Sequence, residues 1–145
     1  MRQKSGKYFE VVVQYDKVFE DGLVKTTKDV VVVEAVTCAD AERRALEEIA
    51  PLCAGEADCV KVALATYKEI FFADEGDIFY KSRVVIITMD EYTNKEKRTN
   101  IYYLTNATSI EEARKNIVAA YAYSVQDYVI ASLSETKIID VYEKK

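Results

Sequence analysis

The side chains best suited to chemistry cluster late in the chain. They are Tyr80, Lys81 and Arg83, then Lys95, Lys97 and Arg98, then Tyr102 and Tyr103. Cations and aromatics on one sheet face can hold phosphates and stack unpaired bases, which is the chemistry of single-stranded nucleic-acid binding. Alternation along a strand puts Tyr102 and Tyr103 on opposite faces, so one surface takes at most one of them. Two structural roles compete with that chemistry. Aromatics favour strands for packing alone, and a basic strip of Lys81, Arg83, Lys95, Lys97 and Arg98 also protects an edge strand from pairing with other chains.

Other candidates are weaker. Asp74-Glu75-Gly76-Asp77 is the densest acidic run and offers carboxylate oxygens to a hard cation, but it lacks the length and spacing of an EF-hand loop. It reads first as a solvated linker turn. Of the three cysteines, Cys38 falls at a helix start, where a thiol can be activated. Cys53 and Cys59 are close enough in sequence for a bridge. An odd count without a secretory signal favours reduced, packed thiols instead. There is no histidine, which removes Ser-His and Cys-His pairs and histidine-based zinc sites. The expectation is no catalytic residue, no metal and no cofactor.

These groups need a frame, and the composition permits one. The chain has 145 residues, half of them apolar, with one proline and four glycines, as expected of one folded domain. Net charge is −5, with 10 basic and 13 acidic residues in 1–73 and 10 and 12 in the remainder. No charged tail stands out, and the acidic balance disfavours non-specific phosphate binding. The N-terminal run Met1-Arg2-Gln3-Lys4-Ser5-Gly6 is polar and no apolar stretch is long enough to span a bilayer. A cytoplasmic protein without a membrane partner is expected.

The order of elements repeats. A strand at Tyr8–Tyr15 turns at Glu20-Asp21-Gly22 and returns through Val30–Val36. Thr37 caps a helix with the stripe Ala41, Ala45, Ile49 and Leu52, and a long strand from Cys59 to Phe72 follows, kinked near Tyr67. The second round runs Phe79–Ile87, a turn at Thr93–Glu96, Asn100–Leu104, and a cap at Thr108 with Glu111 three residues on. It continues with a helix striped by Ile110, Ala113, Ile117 and Ala120 or Tyr121, then one long closing strand from Tyr128 to Leu133 that continues through Lys137-Ile138-Ile139 to Val141. The predicted fold is α+β, a single domain over 1–145 built of tandem pseudo-symmetric ββαβ repeats at about 7–73 and 78–143. They are expected to form a two-layer sandwich, one antiparallel-rich sheet with both helices on one face.

Several segments carry a family resemblance: Tyr8-Phe9-Glu10-Val11, Ala41-Glu42, Glu69-Ile70-Phe71-Phe72, Gly76-Asp77, Tyr80-Lys81 and Ile138-Ile139-Asp140-Val141. Together they resemble an uncharacterised domain family of Bacteroides-type bacteria and their gut phages, including crAss-like phages. Family members often have Trp at the positions of Tyr8 and Phe79, and this chain has none. The resemblance implies a phage setting in a bacterial host and implies no activity.

The functional expectation is a non-enzymatic binding module for single-stranded nucleic acid. The alternatives are a protein that sequesters a small nucleotide signal, or a structural or interaction protein whose partner is a phage or host protein. A second copy of the chain is a further candidate partner.

Overall fold

A computed structural model describes residues 2–4 and 6–144. Met1 and Ser5 of the polar N-terminal run lie outside the described residues, as does Lys145. The elements in order are β1 (Arg2–Lys4), β2 (Tyr8–Val18), β3 (Val24–Glu34), α1 (Cys38–Ile49), β4 (Asp58–Leu64), β5 (Tyr67–Phe72), β6 (Ile78–Met89), β7 (Glu96–Ala107), α2 (Ile110–Ala120), β8 (Asp127–Glu135) and β9 (Ile138–Tyr142). This is a mixed α+β fold with two open sheets and two helices among the described residues. None of those helices is long and apolar enough to cross a membrane.

The chain divides into two compact units. The first holds Lys7–Thr66 with the C-terminal strand, and the second holds Tyr67–Thr136 with the N-terminal strand.

In the first unit the sheet order is β4-β2-β3-β9. The Asp-Gly signal forms the hairpin turn, with Gly22 at φ 82° and Phe19 N–H donating to the Leu23 carbonyl at 2.9 Å. β2 and β3 pair from Tyr8↔Glu34 to Val18↔Val24. Thr37 caps α1 as its sequence suggests, its Oγ1 accepting the Asp40 N–H at 3.1 Å. The helical stripe Ala41, Ala45 and Ile49 lies on Phe9, Val11, Val13, Tyr15, Val31 and Val33, and all nine are buried. Leu52, expected in the same stripe, falls beyond α1 in a 3-10 turn at Ala50–Leu52 that carries Pro51, and is 45% exposed. The periods of 3.6 and 2 thus meet on one face. Within this unit the Tyr15 hydroxyl donates to the buried Asp29 carboxylate at 2.5 Å. Arg44 ties the ends of β3 and β9 together by donating to the Glu34 and Glu143 carbonyls, each at 2.8 Å.

In the second unit the order is β1-β5-β7-β6-β8. Asn94 takes the left-handed position of its hairpin turn at φ 56°. Ser109, not Thr108, caps α2: its backbone is extended and its Oγ accepts the Glu112 N–H at 3.3 Å. The shift by one residue leaves Ile110 47% exposed, while Ala113 and Ile117 are buried as the stripe predicts. Ala113 packs on Tyr80 and Ala107, and Ile117 on Phe71, Val84, Ile86 and Tyr103. β1 is a strand the sequence pattern does not predict; it pairs antiparallel with β5, and the Arg2 guanidinium lies 4.2 Å from the Phe72 ring centroid.

A single sheet bearing both helices is therefore not what forms. There are two sheets, each with its own helix. The two long strands of the sequence both break, at Ala65-Thr66 and at Thr136-Lys137. The piece after each break leaves its predecessor's ladder: β5 lies parallel to β7, and β9 lies parallel to β3. The first unit therefore takes β9 from the second half of the sequence, and the second takes β1 and β5 from the first. Antiparallel pairs still dominate, with β3·β9 and β5·β7 the parallel exceptions.

Aromatic packing continues through the second unit. Phe71 stacks on Tyr103 with centroids 4.9 Å apart, the Tyr103 and Tyr121 hydroxyls are 2.6 Å apart, and Tyr121 stacks on Tyr128 at 4.4 Å. Burial raises the hydroxyl pKa of Tyr103 and Tyr121 above the ordinary value, as it does for Tyr15 and Tyr142 in the first unit. The unfolded chain starts to lose these protons near pH ~10, while the folded chain keeps them. Their contribution is therefore fully present below that pH and falls as pH rises through it. Urea midpoints should be lower at about pH 11 than at about pH 8, with a smaller drop in Tyr103→Phe. An unchanged midpoint would contradict this.

Candidate functional site

The β6–β7 ladder decides which candidates meet. Arg83 lies opposite Tyr102, Val85 opposite Asn100, and Ile87 opposite Arg98, with Lys81 two positions before Arg83 on the same side. Lys81, Arg83, Tyr102, Asn100 and Arg98 therefore share the face turned away from α2. Tyr80 and Tyr103 point the other way, into the packing under α2, and each is 5% exposed. Both rings are already in contact with their own core, which leaves no face for a base.

On the first face a local cluster forms. The Lys81 ammonium lies 5.2 Å from the Tyr102 ring centroid and 5.7 Å from that of Tyr67. Each such contact is worth about 0.5–1 kcal/mol where partly solvated. Tyr67 arrives only because β5 crosses into this sheet and pairs with Tyr102. The Arg83 guanidinium donates to Asn100 Oδ1 at 3.5 Å, a weak bond that leaves the cation available. Lys81, Arg83 and Tyr102 are half-buried and Tyr67 is buried. From Tyr102 to Arg98 the row runs roughly 13 Å along β7.

The hairpin tip departs from a single basic strip. β6 and β8 separate after Ile87, and β5 accompanies β7 only from Tyr102 onward, so residues 88–100 form an exposed two-stranded arm. Lys97 faces Thr88 on the α2 side, opposite to Arg98, and Arg98 donates to Glu96 at 3.2 Å. Lys95 lies in the turn, its carbonyl accepting from the Asp90 N–H at 2.9 Å. Asp90 accepts the N–H groups of Tyr92 and Thr93, and these hold its carboxyl below the usual range. Of the cations in the expected strip, Lys81, Arg83 and Arg98 share a face with Tyr102, and Lys95 and Lys97 do not.

The acidic run has a structural assignment. Asn106 donates to the carbonyls of Ala73 at 3.1 Å and Gly76 at 2.9 Å, and accepts the Ala73 N–H at 2.8 Å. It clamps the turn that leads into β6. No group of three Cys, Asp or Glu side chains gathers as a metal cluster among the described residues.

All three cysteines are free thiols, with Cys38 exposed. Cys53 and Cys59 pack against the core of the first unit. Cys59 pairs with Val13 and Cys53 with Lys17, four residues further along β2, so their backbones are roughly 13 Å apart. That is too far for a disulfide. Burial raises the Cys59 thiol pKa, the opposite of nucleophile activation.

The model of the family described as a domain of unknown function, DUF4494, matches residues 7–144. The chain belongs to the DUF4494 family. That match spans β2 to β9, so the DUF4494 region holds both helices and every strand but β1. No curated protein and no solved structure matches the chain.

Proposed function

We propose that this DUF4494 chain is a non-enzymatic binding module for single-stranded nucleic acid, acting for a phage in the cytoplasm of its bacterial host. The observation that carries the reading is the Lys81 ammonium over the rings of Tyr102 and Tyr67, 5.2 and 5.7 Å from their centroids, with Arg83 and Arg98 on the same face. A cation row with an aromatic edge holds phosphates and stacks bases without reading sequence. Against a net charge of −5 such a row acts locally, so binding depends on it strongly.

The architecture supports a duplicated origin. In each unit a hairpin strand carries an antiparallel neighbour with one bulge, at Val12/Val13 and at Arg83/Val84. In each, the second hairpin strand carries a parallel neighbour from the other half of the chain, again with one irregularity. Of the paired copies, only the second has cations and a tyrosine at the positions used here: Lys81 and Arg83 stand where the first has Glu10 and Val12, and Tyr102, opposite Arg83, where it has Val30, opposite Val12.

The test is fluorescence anisotropy with a labelled single-stranded oligonucleotide of about 12 nucleotides, as DNA and as RNA. Binding at low ionic strength is expected, with log K falling against log salt at a slope of roughly −2 for three cations. An unchanged anisotropy at the lowest salt would contradict the reading.

A further inference from the structure

On the face turned away from α2, the ladder continues past β6 to β8. Ser134 lies opposite Lys81 and Ser132 opposite Arg83, just before the bulge at Arg83/Val84. Leu133 between them packs with Tyr80 and Ala113, which turns both serines to the face of the cations. The row through Arg83 therefore reads Tyr67, Tyr102, Arg83 and Ser132 across β5, β7, β6 and β8. Directly opposed residues such as Arg83 and Ser132 have Cβ atoms roughly 5 Å apart.

Two facts distinguish these pairs. Lys81 and Arg83 are half-buried, and neither makes an ion pair among the described residues. A cation drawn partly out of water without a counter-ion is unfavourable, and a bound anion offsets that. Ser132 and Ser134 are exposed, and neither hydroxyl has a hydrogen-bond partner among the described residues. At the same places before its own bulge, the first unit sets Ala63 against Glu10 and Lys61 against Val12. The ladder geometry alone thus does not place a hydroxyl beside a cation.

We propose that Ser132 and Ser134 complete a phosphate site with two stations. Each serine donates its hydroxyl to one of two consecutive phosphates, Arg83 and Lys81 hold the charge, and the bases extend over β7 to Tyr102. Resting on the nucleic-acid reading above, the site narrows the ligand class to chains with phosphates one nucleotide apart. The stations are two residues apart, about 7 Å along the ladder, a span that one nucleotide unit of an extended strand bridges. Contacts of Arg, Lys and Ser to phosphate position a strand without reading its sequence.

The test repeats the anisotropy titration with Ser132→Ala and Ser134→Ala. The control is Thr99→Ala, which removes an exposed hydroxyl on the α2 side of β7. Each serine variant should weaken binding about tenfold, the worth of one hydrogen bond to a charged group. Its salt slope should stay unchanged because no charge is removed, whereas Arg83→Ala should make the slope shallower by roughly 0.7. Thr99→Ala should bind as the wild type does. An unlabelled trinucleotide should displace the probe, and a nucleoside monophosphate at the same concentration should not. A wild type that binds while both serine variants match it overturns the two-station site and leaves oligonucleotide binding standing, as does displacement by the monophosphate equal to that by the trinucleotide. A wild type that binds no oligonucleotide removes both.

Discussion

Gly76→Ala should destabilise the second unit by more than about 3 kcal/mol. Gly76 sits at φ 118°, a conformation that side chains rarely adopt, and its missing Cβ would lie 2.6 Å from the Ala107 carbonyl oxygen and closer still to the backbone carbon. Neither partner can retreat. Ala107 is 1% exposed and packs on Tyr80 and Ala113, and Asn106 fixes the Gly76 carbonyl at 2.9 Å. Strain and overlap therefore add. Gly22 is the control: its φ is 82°, nothing lies within 4 Å of its Cβ position, and Gly22→Ala should cost only about 1 kcal/mol. Urea denaturation compares the two, and equal costs would show that Asn106 and Ala107 do not clamp the turn at 73–77.

The second large effect separates two adjacent tyrosines. Tyr103→Ala removes a ring that stacks on Phe71 and leaves the Tyr121 hydroxyl without its partner, so about 3–5 kcal/mol of stability should be lost. Tyr102→Ala removes a half-buried ring from the opposite face and should cost less than half as much. Affinity should show the reverse. If Tyr102 stacks a base, Tyr102→Ala lowers oligonucleotide affinity about tenfold, at about 1–3 kcal/mol per stacked base. Tyr103→Ala, assayed at a temperature where it remains folded, should bind as the wild type does. Equal losses of affinity would remove the distinction between the two faces.

Local signals in the sequence locate most elements. Asp21-Gly22, the Thr37 cap and the stripe Ala41, Ala45 and Ile49 are decided within a few residues of chain, and all three form where the sequence puts them. The α2 cap differs by one residue because Thr108 and Ser109 are both competent caps with an acid three positions later. The exchange of strands is not legible in the sequence. A kink near Tyr67 is visible, but an alternating pattern states which side of a strand is apolar and does not state which ladder receives it. That limit also hides the site's composition. Tyr67 meets Lys81 only through the crossing of β5, and Asn100 meets Arg83 only through the β6–β7 register. Period-two alternation does establish that Tyr102 and Tyr103 cannot serve one surface.

The most direct measurement is amide NMR on the labelled chain during titration with a single-stranded oligonucleotide at low salt. The largest shifts should fall at Tyr67, Lys81, Arg83 and Tyr102, decline towards Arg98, and spare α1. Oligonucleotide-induced shifts that leave those four residues unmoved, or none at all, would contradict the proposed binding face.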